Sequence, residues 1–172
     1  ISFKLNNVQN VKPYNYIISD SNNFKYIRNT ISTMNIVKNE INKEDLNYSK
    51  VNSIKLSNFL NDNNLTYIDF LKLDIEGHEL NLISDILDLD IKYGQIEIIN
   101  INSLEKNLEF LKLLTNKYIL IDSENFKEID FNELKNYVVK KLSDFVAFDV
   151  FIVSKNNLSF KIKLKYKFNN YL

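Results

Sequence analysis

The stretch YIDFLKLDIEGHE occupies residues 67–79. Its first eight residues are mostly apolar, which is typical of a strand that is covered on both faces in a parallel sheet. Gly77 ends the apolar run, and Leu80, Ile83 and Leu87 then follow at helical spacing. The stretch therefore predicts a buried strand that turns directly into a helix, which is the repeating unit of an α/β domain.

The rest of the chain repeats this alternation of strands and helices. Strands are predicted over residues 11–19, 50–56, 94–101, 118–122 and 145–153, and helices over 57–60, 104–114 and 132–142. Asn102 followed by Glu105 resembles a capping box at the start of the second of these helices. The polar region 20–50 is expected to be irregular, with weak strand candidates at 24–28 and 31–37. The fold class is therefore α/β, with a mostly parallel sheet.

Residues 160–168 (FKIKLKYKF) alternate apolar side chains with four lysines, which as a strand would share one face: Lys161, Lys163, Lys165 and Lys167. One interpretation is an edge strand whose lysines face water and prevent aggregation. The other is a basic strip that binds an anionic lipid or polysaccharide surface. We expect residues 1–154 to form one domain and residues 155–172 to be a C-terminal extension.

Composition excludes several classes of protein. The 172 residues are 45% hydrophobic, with 22 basic and 22 acidic side chains, so neither disorder nor nucleic-acid binding is favoured. The absence of cysteine excludes disulfides and thiolate chemistry, and a single histidine, His78, excludes a multi-histidine metal cluster. No apolar run reaches the roughly 20 residues that span a bilayer. Membrane contact is not expected, and the cytoplasm is the expected location.

The chemically dense part of the chain is the end of the strand at 67–74. Lys72 and Asp74 are two residues apart and so point to the same face of a strand. Ligands of open α/β sheets bind at the carboxyl ends of the strands. A lysine and carboxylates there would position a hydroxyl group, remove its proton or hold a divalent cation. The alternative is that these charges pair with one another and cap the following helix.

The segment IDFLKLDIEGHEL, preceded by KVNSIKLSNFL, resembles the signature of FkbM-type S-adenosylmethionine-dependent methyltransferases. Six positions of the family pattern are present here: Asp69, Lys72, Asp74, Glu76, Gly77 and Glu79. Downstream, GQIEII resembles the next strand of the family, which carries a glutamate at the position of Glu97. The likeness covers roughly residues 5–154, and the central signature is its most specific part.

This resemblance implies methyl transfer to a hydroxyl oxygen of a sugar or secondary metabolite, with S-adenosylmethionine as the methyl donor. It implies catalytic roles for Lys72, Asp74 and Glu76, and Asp74 would also face the donor. Glu79 and Glu97 would bind the acceptor, which is a small molecule or a glycan. His78 lies at a variable position of the pattern and is not expected to take part.

Two departures from the family pattern shape the expectations. Leu56-Ser57 stands where the family has Leu-Asp, and neither Gly77 nor Gly94 lies in a Gly-x-Gly turn. We therefore expect an N-terminally truncated domain, whose Rossmann-like sheet lacks the first strand, the first helix and the second strand. An additional domain upstream is a possible partner of this one. A non-catalytic α/β module and a surface-binding module that uses the lysines at 161–167 are the alternative functions.

Overall fold

The computed structural model describes residues 10–28, 37–41, 47–75 and 77–156. Within them the chain is mixed α/β and divides into two compact units, residues 1–55 and 56–172, each with a sheet of its own. Glu76, most of the weak strand candidate at 31–37 and the predicted lysine-rich strand at 160–168 lie outside the described residues.

The first unit holds a four-stranded sheet in the order β1-β4-β2-β3. Its strands are β1 (Ile17–Ile18), β2 (Phe24–Arg28), β3 (Val37–Lys38) and β4 (Tyr48–Ile54). The weak candidate at 24–28 is confirmed, whereas the strand predicted over 11–19 is wrong in extent, since only two residues are paired. Val11, Tyr14 and Tyr16 are exposed, so no burial of these side chains favours a longer strand.

The second unit carries the signature segment. Its sheet has the order β5-β6-β8-β7. The strands are β5 (Ile68–Leu73), β6 (Ile91–Ile99), β7 (Tyr118–Asp122) and β8 (Ala147–Ser154). The α-helices are α1 (Leu56–Asp62), α2 (Ile83–Asp88), α3 (Leu104–Leu114) and α4 (Leu134–Asp144), and a 3-10 turn at Glu79–Leu82 leads into α2. The predicted sequence of a strand, a turn and a helix after residue 67 is thus confirmed.

The expectation of a mostly parallel sheet is not confirmed, because both sheets are mixed. In the second unit β5 and β6 are parallel, but β8 runs antiparallel to both of its neighbours, β6 and β7. One reversed strand, inserted between two strands of common direction, therefore makes two of the three pairings antiparallel. An apolar run predicts that a strand exists and carries no information about its direction.

The hydrophobic core lies on one face of the second sheet. Helices α3 and α4 contact this sheet and one another. The helices bury residues at helical spacing, and the strands bury alternate residues. These residues include Leu108, Leu111, Leu114, Leu134, Val138, Ile96, Ile98, Leu120, Val150 and Ile152. Much of the opposite face is half-buried or exposed, and it carries the polar side chains of the candidate site.

Gly94 allows three strands to approach closely. It lies opposite Leu71 of β5 and Ile152 of β8. A Cβ atom there would lie 2.9 Å from Cγ1 of Ile152 and 3.1 Å from the carbonyl oxygen of Leu71. Gly94 is therefore a packing residue of the central strand.

Candidate functional site

Lys72 and Asp74 form an ion pair at the end of β5. The Lys72 Nζ donates a hydrogen bond of 2.7 Å to Oδ2 of Asp74, and the two side chains are 55% and 42% exposed. This hydrogen bond raises the pKa of Lys72, and the negative charges of Asp74, Asp149 and Glu97 add to the effect, while slight burial opposes it. Lys72 is therefore a cation at neutral pH, with a hydrogen-bonded carboxylate beside it.

Further polar side chains continue across the same face of the sheet. Lys72 lies opposite Gln95 of β6, and Glu97 lies opposite Asp149 of β8. Two carboxylates directly opposite each other in a ladder repel, and the positive charge of Lys72 attracts both of them. Asp149 was not among the predicted site residues, although an aspartate within the apolar strand AFDVFIVS was the signal that could have identified it.

The loop after Asp74 is held by a buried carboxylate. Glu79 is buried at the start of the 3-10 turn, and its Oε1 accepts a 3.0 Å hydrogen bond from the backbone N–H of Ile75. The structure thus gives this predicted acceptor-binding residue an internal partner. Gly77, between them, has a φ of +92°, a conformation that residues with a Cβ rarely adopt.

Asn102 makes a second hydrogen bond to the same loop, at Gly77. Its Nδ2 donates a 3.0 Å hydrogen bond to the carbonyl oxygen of Gly77. The predicted capping role of Asn102 is wrong by one residue, because Oγ of Ser103 accepts from the N–H of Lys106 and caps α3. A serine adjacent to an asparagine offers two capping residues, and only the backbone path decides between them. The displaced Asn102 is then available to the signature loop.

These residues meet at one edge of the sheet, here called the carboxyl edge, where β5, β6 and β7 end and β8 begins. The predicted residues Lys72, Asp74 and Glu97 lie at or near it. Glu76 lies outside the described residues. The exposed His78 is the N-cap residue of the 3-10 turn, and its side chain makes no capping hydrogen bond.

A cavity of about 410 Å³ lies at the opposite edge of the same sheet. It is lined by residues from the starts of β5 and β6 and the end of β8, including Asp69, Lys92 and Ser154. The Lys92 ammonium lies 3.5 Å from the Asp69 carboxylate. None of the predicted site residues lines this cavity, so it is separate from the candidate site.

A second ionic cluster lies at the end of β7. The Nζ of Lys141 on α4 lies 3.4 Å from Asp122 and 2.7 Å from Glu124. Burial alone would raise the pKa of Asp122, but N–H groups of Glu124 and Asn125 and the charge of Lys141 lower it overall. Asp122 and Lys141 are buried, so this cluster braces the fold.

No group of three or more histidine, cysteine or acidic side chains that could hold a metal ion occurs among residues 10–28, 37–41, 47–75 and 77–156. Within the same ranges, none of the helices is long and apolar enough to cross a membrane.

Comparison with known families identifies the chain. Residues 2–140 match the family model described as the methyltransferase FkbM domain. The chain belongs to the FkbM methyltransferase family. The match confirms the resemblance drawn from the signature, makes the protein a methyltransferase by family, and implies a small-molecule acceptor. Searches of curated proteins and of solved structures gave no significant match.

FkbM methyltransferases are expected to use S-adenosylmethionine, and the described residues fit this donor in one respect only. Asp74 offers a partly exposed carboxylate at the carboxyl edge. The space beside the Cα atom of each glycine is already filled by other residues. Ile152 and Leu71 fill it at Gly94, and Ile99 and Ile101 fill it at Gly77. Neither leaves the open space that lets a glycine-rich turn approach a nucleotide.

Proposed function

We propose that this FkbM methyltransferase transfers a methyl group from S-adenosylmethionine to a hydroxyl oxygen of a sugar or secondary metabolite at the carboxyl edge. The observation that carries the proposal is the 2.7 Å pair of Lys72 and Asp74, partly exposed at the end of β5. A cation and a carboxylate side by side suit an alcohol that loses its proton as its oxygen reacts.

The two side chains have different roles in this proposal. Asp74 accepts the hydroxyl proton, because a carboxylate is an acceptor and lies at the strand end. Lys72 keeps its own proton, because the hydrogen bond to Asp74 raises its pKa, and its positive charge stabilises the developing alkoxide. The raised pKa thus favours charge stabilisation over proton removal for Lys72.

The predicted residue Glu97 and its neighbour Asp149 act on the acceptor in this proposal. Glu97 and Asp149 present carboxylates on the face that carries Lys72, where they accept hydrogen bonds from further acceptor hydroxyls. Glu79 acts through the loop that it braces, so its contribution is to position Asp74. The catalytic role assigned to Glu76 rests on its place in the family pattern.

S-adenosylmethionine supplies an electrophilic methyl group when it is bound. We propose that Asp74 makes the contact of this chain with the donor, as the signature implies. The orientation of two reactants at one edge contributes about 7–11 kcal/mol to rate enhancement in favourable cases. Residues 1–154 are proposed as the methyltransferase domain, with residues 155–172 as an extension.

The test is methyl transfer from labelled S-adenosylmethionine to a panel of methyl glycosides and simple alcohols, read as label in an ether product. We expect Asp74→Asn and Lys72→Met to lower the rate by about 10²–10⁴-fold. Lys112→Met, on the exposed surface of α3, is the matched control and should leave the rate unchanged. Full activity in Asp74→Asn and Lys72→Met would contradict the assignment.

One observation favours the alternative of a non-catalytic α/β module. Neither Gly77 nor Gly94 leaves room beside its backbone for a cofactor. Such a module would keep the fold and the Lys72–Asp74 pair yet bind no S-adenosylmethionine, so donor binding separates the two functions. The basic-strip alternative concerns Lys161, Lys163, Lys165 and Lys167, which lie outside the described residues.

A further inference from the structure

A row of three polar side chains lines the cavity at the edge of the second sheet opposite the carboxyl edge. By the register of the strands, Asp69 of β5 lies beside Lys92 of β6, and Lys92 lies beside Ser154 of β8. The Lys92 Nζ is 3.5 Å from Oδ1 of Asp69. The side chains of Lys92 and Asp69 are 49% and 69% exposed, whereas Ser154 is only 6% exposed. The row therefore deepens from β5 toward β8.

The apolar core lies directly behind this row. Two residues further into each strand, the same face of the sheet carries Leu71, Gly94 and Ile152, which lie opposite one another in neighbouring strands. Ile152 is fully buried, and it lies so close to Gly94 that a Cβ atom there would be 2.9 Å from its Cγ1. A molecule in the cavity would therefore meet the polar row and not the apolar core.

Three further polar residues complete the lining of the cavity: Tyr67, Asp90 and Asn156. Tyr67 and Asp90 directly precede β5 and β6, and Asn156 follows β8 by two residues. Tyr67 is 57% exposed, so its ring is accessible. The phenol and the amide both donate and accept hydrogen bonds, whereas the carboxylate accepts them. The volume of about 410 Å³ lies in the range of roughly 300–1,000 Å³ that is typical of small-molecule sites.

The charges that line the cavity favour a neutral ligand. Asp69 and Asp90 carry two negative charges and Lys92 carries one positive charge, so the net charge disfavours an anion. A cation would compete with Lys92 for the Asp69 carboxylate, because that ion pair is already formed. A neutral hydroxyl group avoids both costs, since it accepts a hydrogen bond from an ammonium and donates one to a carboxylate.

We propose that this cavity binds a neutral sugar residue, whose hydroxyls bond to Lys92 and Asp90 while its C–H face lies on the ring of Tyr67. A sugar combines several hydroxyls with an apolar C–H face, and a tyrosine ring offers an apolar surface with a polar end. The site lies at the opposite edge of the sheet from the candidate methyl-transfer site, so the inference goes beyond the proposed function and does not rest on it.

The test titrates methyl glucoside, methyl galactoside and methyl mannoside into the isotope-labelled full chain and follows its backbone amide signals by NMR. We expect a saturable shift of the Lys92 and Ser154 signals with at least one glycoside. Sodium phosphate and spermidine are the anionic and cationic comparators and should bind more weakly. No saturable shift with any glycoside, or tighter binding of either ion, would overturn the proposal. The corresponding disaccharide then distinguishes a sugar within a glycan, which binds more tightly, from a single free sugar, and either result supports a sugar site.

Variants assign the binding to the cavity. Asp69→Ala combined with Lys92→Ala removes an acceptor and a donor without changing the net charge, and should weaken glycoside binding about tenfold. Tyr67→Ala, which lies outside the strands, removes the ring and should also weaken it. Lys106→Ala combined with Glu109→Ala, on the exposed surface of α3, is the matched control and should keep the affinity. Unchanged binding by both cavity variants would overturn the proposal.

The candidate methyl-transfer site is monitored in the same spectra through the amide signals of Lys72 and Asp74. A glycoside that shifts only these two signals would overturn the cavity site and leave the proposed function standing. Binding at the cavity should persist when Lys72→Met and Asp74→Asn are combined. A protein that binds the glycoside at the cavity but transfers no methyl group would overturn the proposed function and leave this inference standing.

Discussion

Glu79 and Ile75 are joined by a 3.0 Å hydrogen bond in which the buried carboxylate accepts from the backbone N–H. This bond closes the loop that follows Asp74. Asn102 holds the loop at Gly77 from the other side. Glu79 and Asn102 thus hold the segment that follows β5, so we expect the geometry of the Lys72–Asp74 pair to depend on them.

The first prediction concerns Glu79. Glu79→Ala removes the acceptor of the Ile75 N–H and should lower the free energy of unfolding by about 1–3 kcal/mol. Glu79→Gln retains an acceptor oxygen and should cost less. Urea denaturation of both variants measures the difference. Wild-type stability in Glu79→Ala would show that the hydrogen bond does not hold the loop.

The second prediction concerns Gly77. Its φ of +92° makes Gly77→Ala cost at least about 1–2 kcal/mol of unfolding free energy, and contact with Ile101 adds to this cost. In an Ile101→Ala background the contact disappears but the backbone cost remains, so the penalty should shrink without vanishing. A double-mutant cycle by urea denaturation measures this coupling. An identical penalty in both backgrounds would exclude the contact with Ile101.

The signature segment was the most predictable part of the fold. The strand at β5, the turn at Gly77 and the helical leucines after it follow from apolar spacing and one glycine, which are local features of the sequence. The family resemblance likewise follows from a local motif. The reversed direction of β8 and the facing of Glu97 and Asp149 depend on pairing between distant segments, and a local pattern does not encode that pairing.

The third prediction concerns the pKa of Lys72. The hydrogen bond to Asp74 is the largest cause of its increase, so Asp74→Asn should return the pKa toward its ordinary value of 10.5. Asp149→Asn should lower it by a smaller amount, because Asp149 acts only through its charge. NMR titration of labelled lysine measures both changes. An unchanged pKa in Asp74→Asn would mean that the pair does not form in solution.

The fourth prediction concerns the Lys141–Asp122 pair. Lys141→Met leaves the buried Asp122 without its cation, and should lower the free energy of unfolding by about 1–3 kcal/mol. Lys135→Met, an exposed substitution on the same helix, is the matched control and should cost little. Urea denaturation at neutral pH measures both, and equal stability of the two variants would contradict a bracing role.

The pH dependence of the same pair has a definite sign. Asp122 has a lowered pKa in the folded protein, so its contribution is present above its ordinary value of 3.8 and is lost as pH falls through the folded value. Lys141 has a raised pKa: burial opposes the increase, and Glu124 and Asp122 cause it. Its contribution is therefore present below 10.5 and is lost as pH rises through the folded value. In Asp122→Asn, the urea concentration at the unfolding midpoint should therefore fall less steeply as the pH is lowered below neutrality. The same fall as in the unsubstituted protein would contradict this prediction.

Two stabilising interactions, the Glu79–Ile75 hydrogen bond and the Lys141–Asp122 ion pair, could not be predicted from the sequence. Glu79 was predicted to bind the acceptor, because a carboxylate in a family signature suggests chemistry, yet the structure buries it against a backbone N–H. Lys141 occupies a position on the buried stripe of α4 together with Leu134 and Val138. A lysine on such a stripe indicates a buried partner, but the partner, Asp122, comes from strand β7, and the sequence of the helix does not identify it.

The most direct test of the central claim is calorimetric titration of S-adenosylmethionine into the full-length protein, with Asp74→Asn beside it. Asp88→Asn, at the exposed end of α2, is the matched control. We expect the unsubstituted protein and Asp88→Asn to bind the donor with equal affinity, and Asp74→Asn to bind it about tenfold more weakly. No binding by the unsubstituted protein, or equal binding by Asp74→Asn, would contradict it.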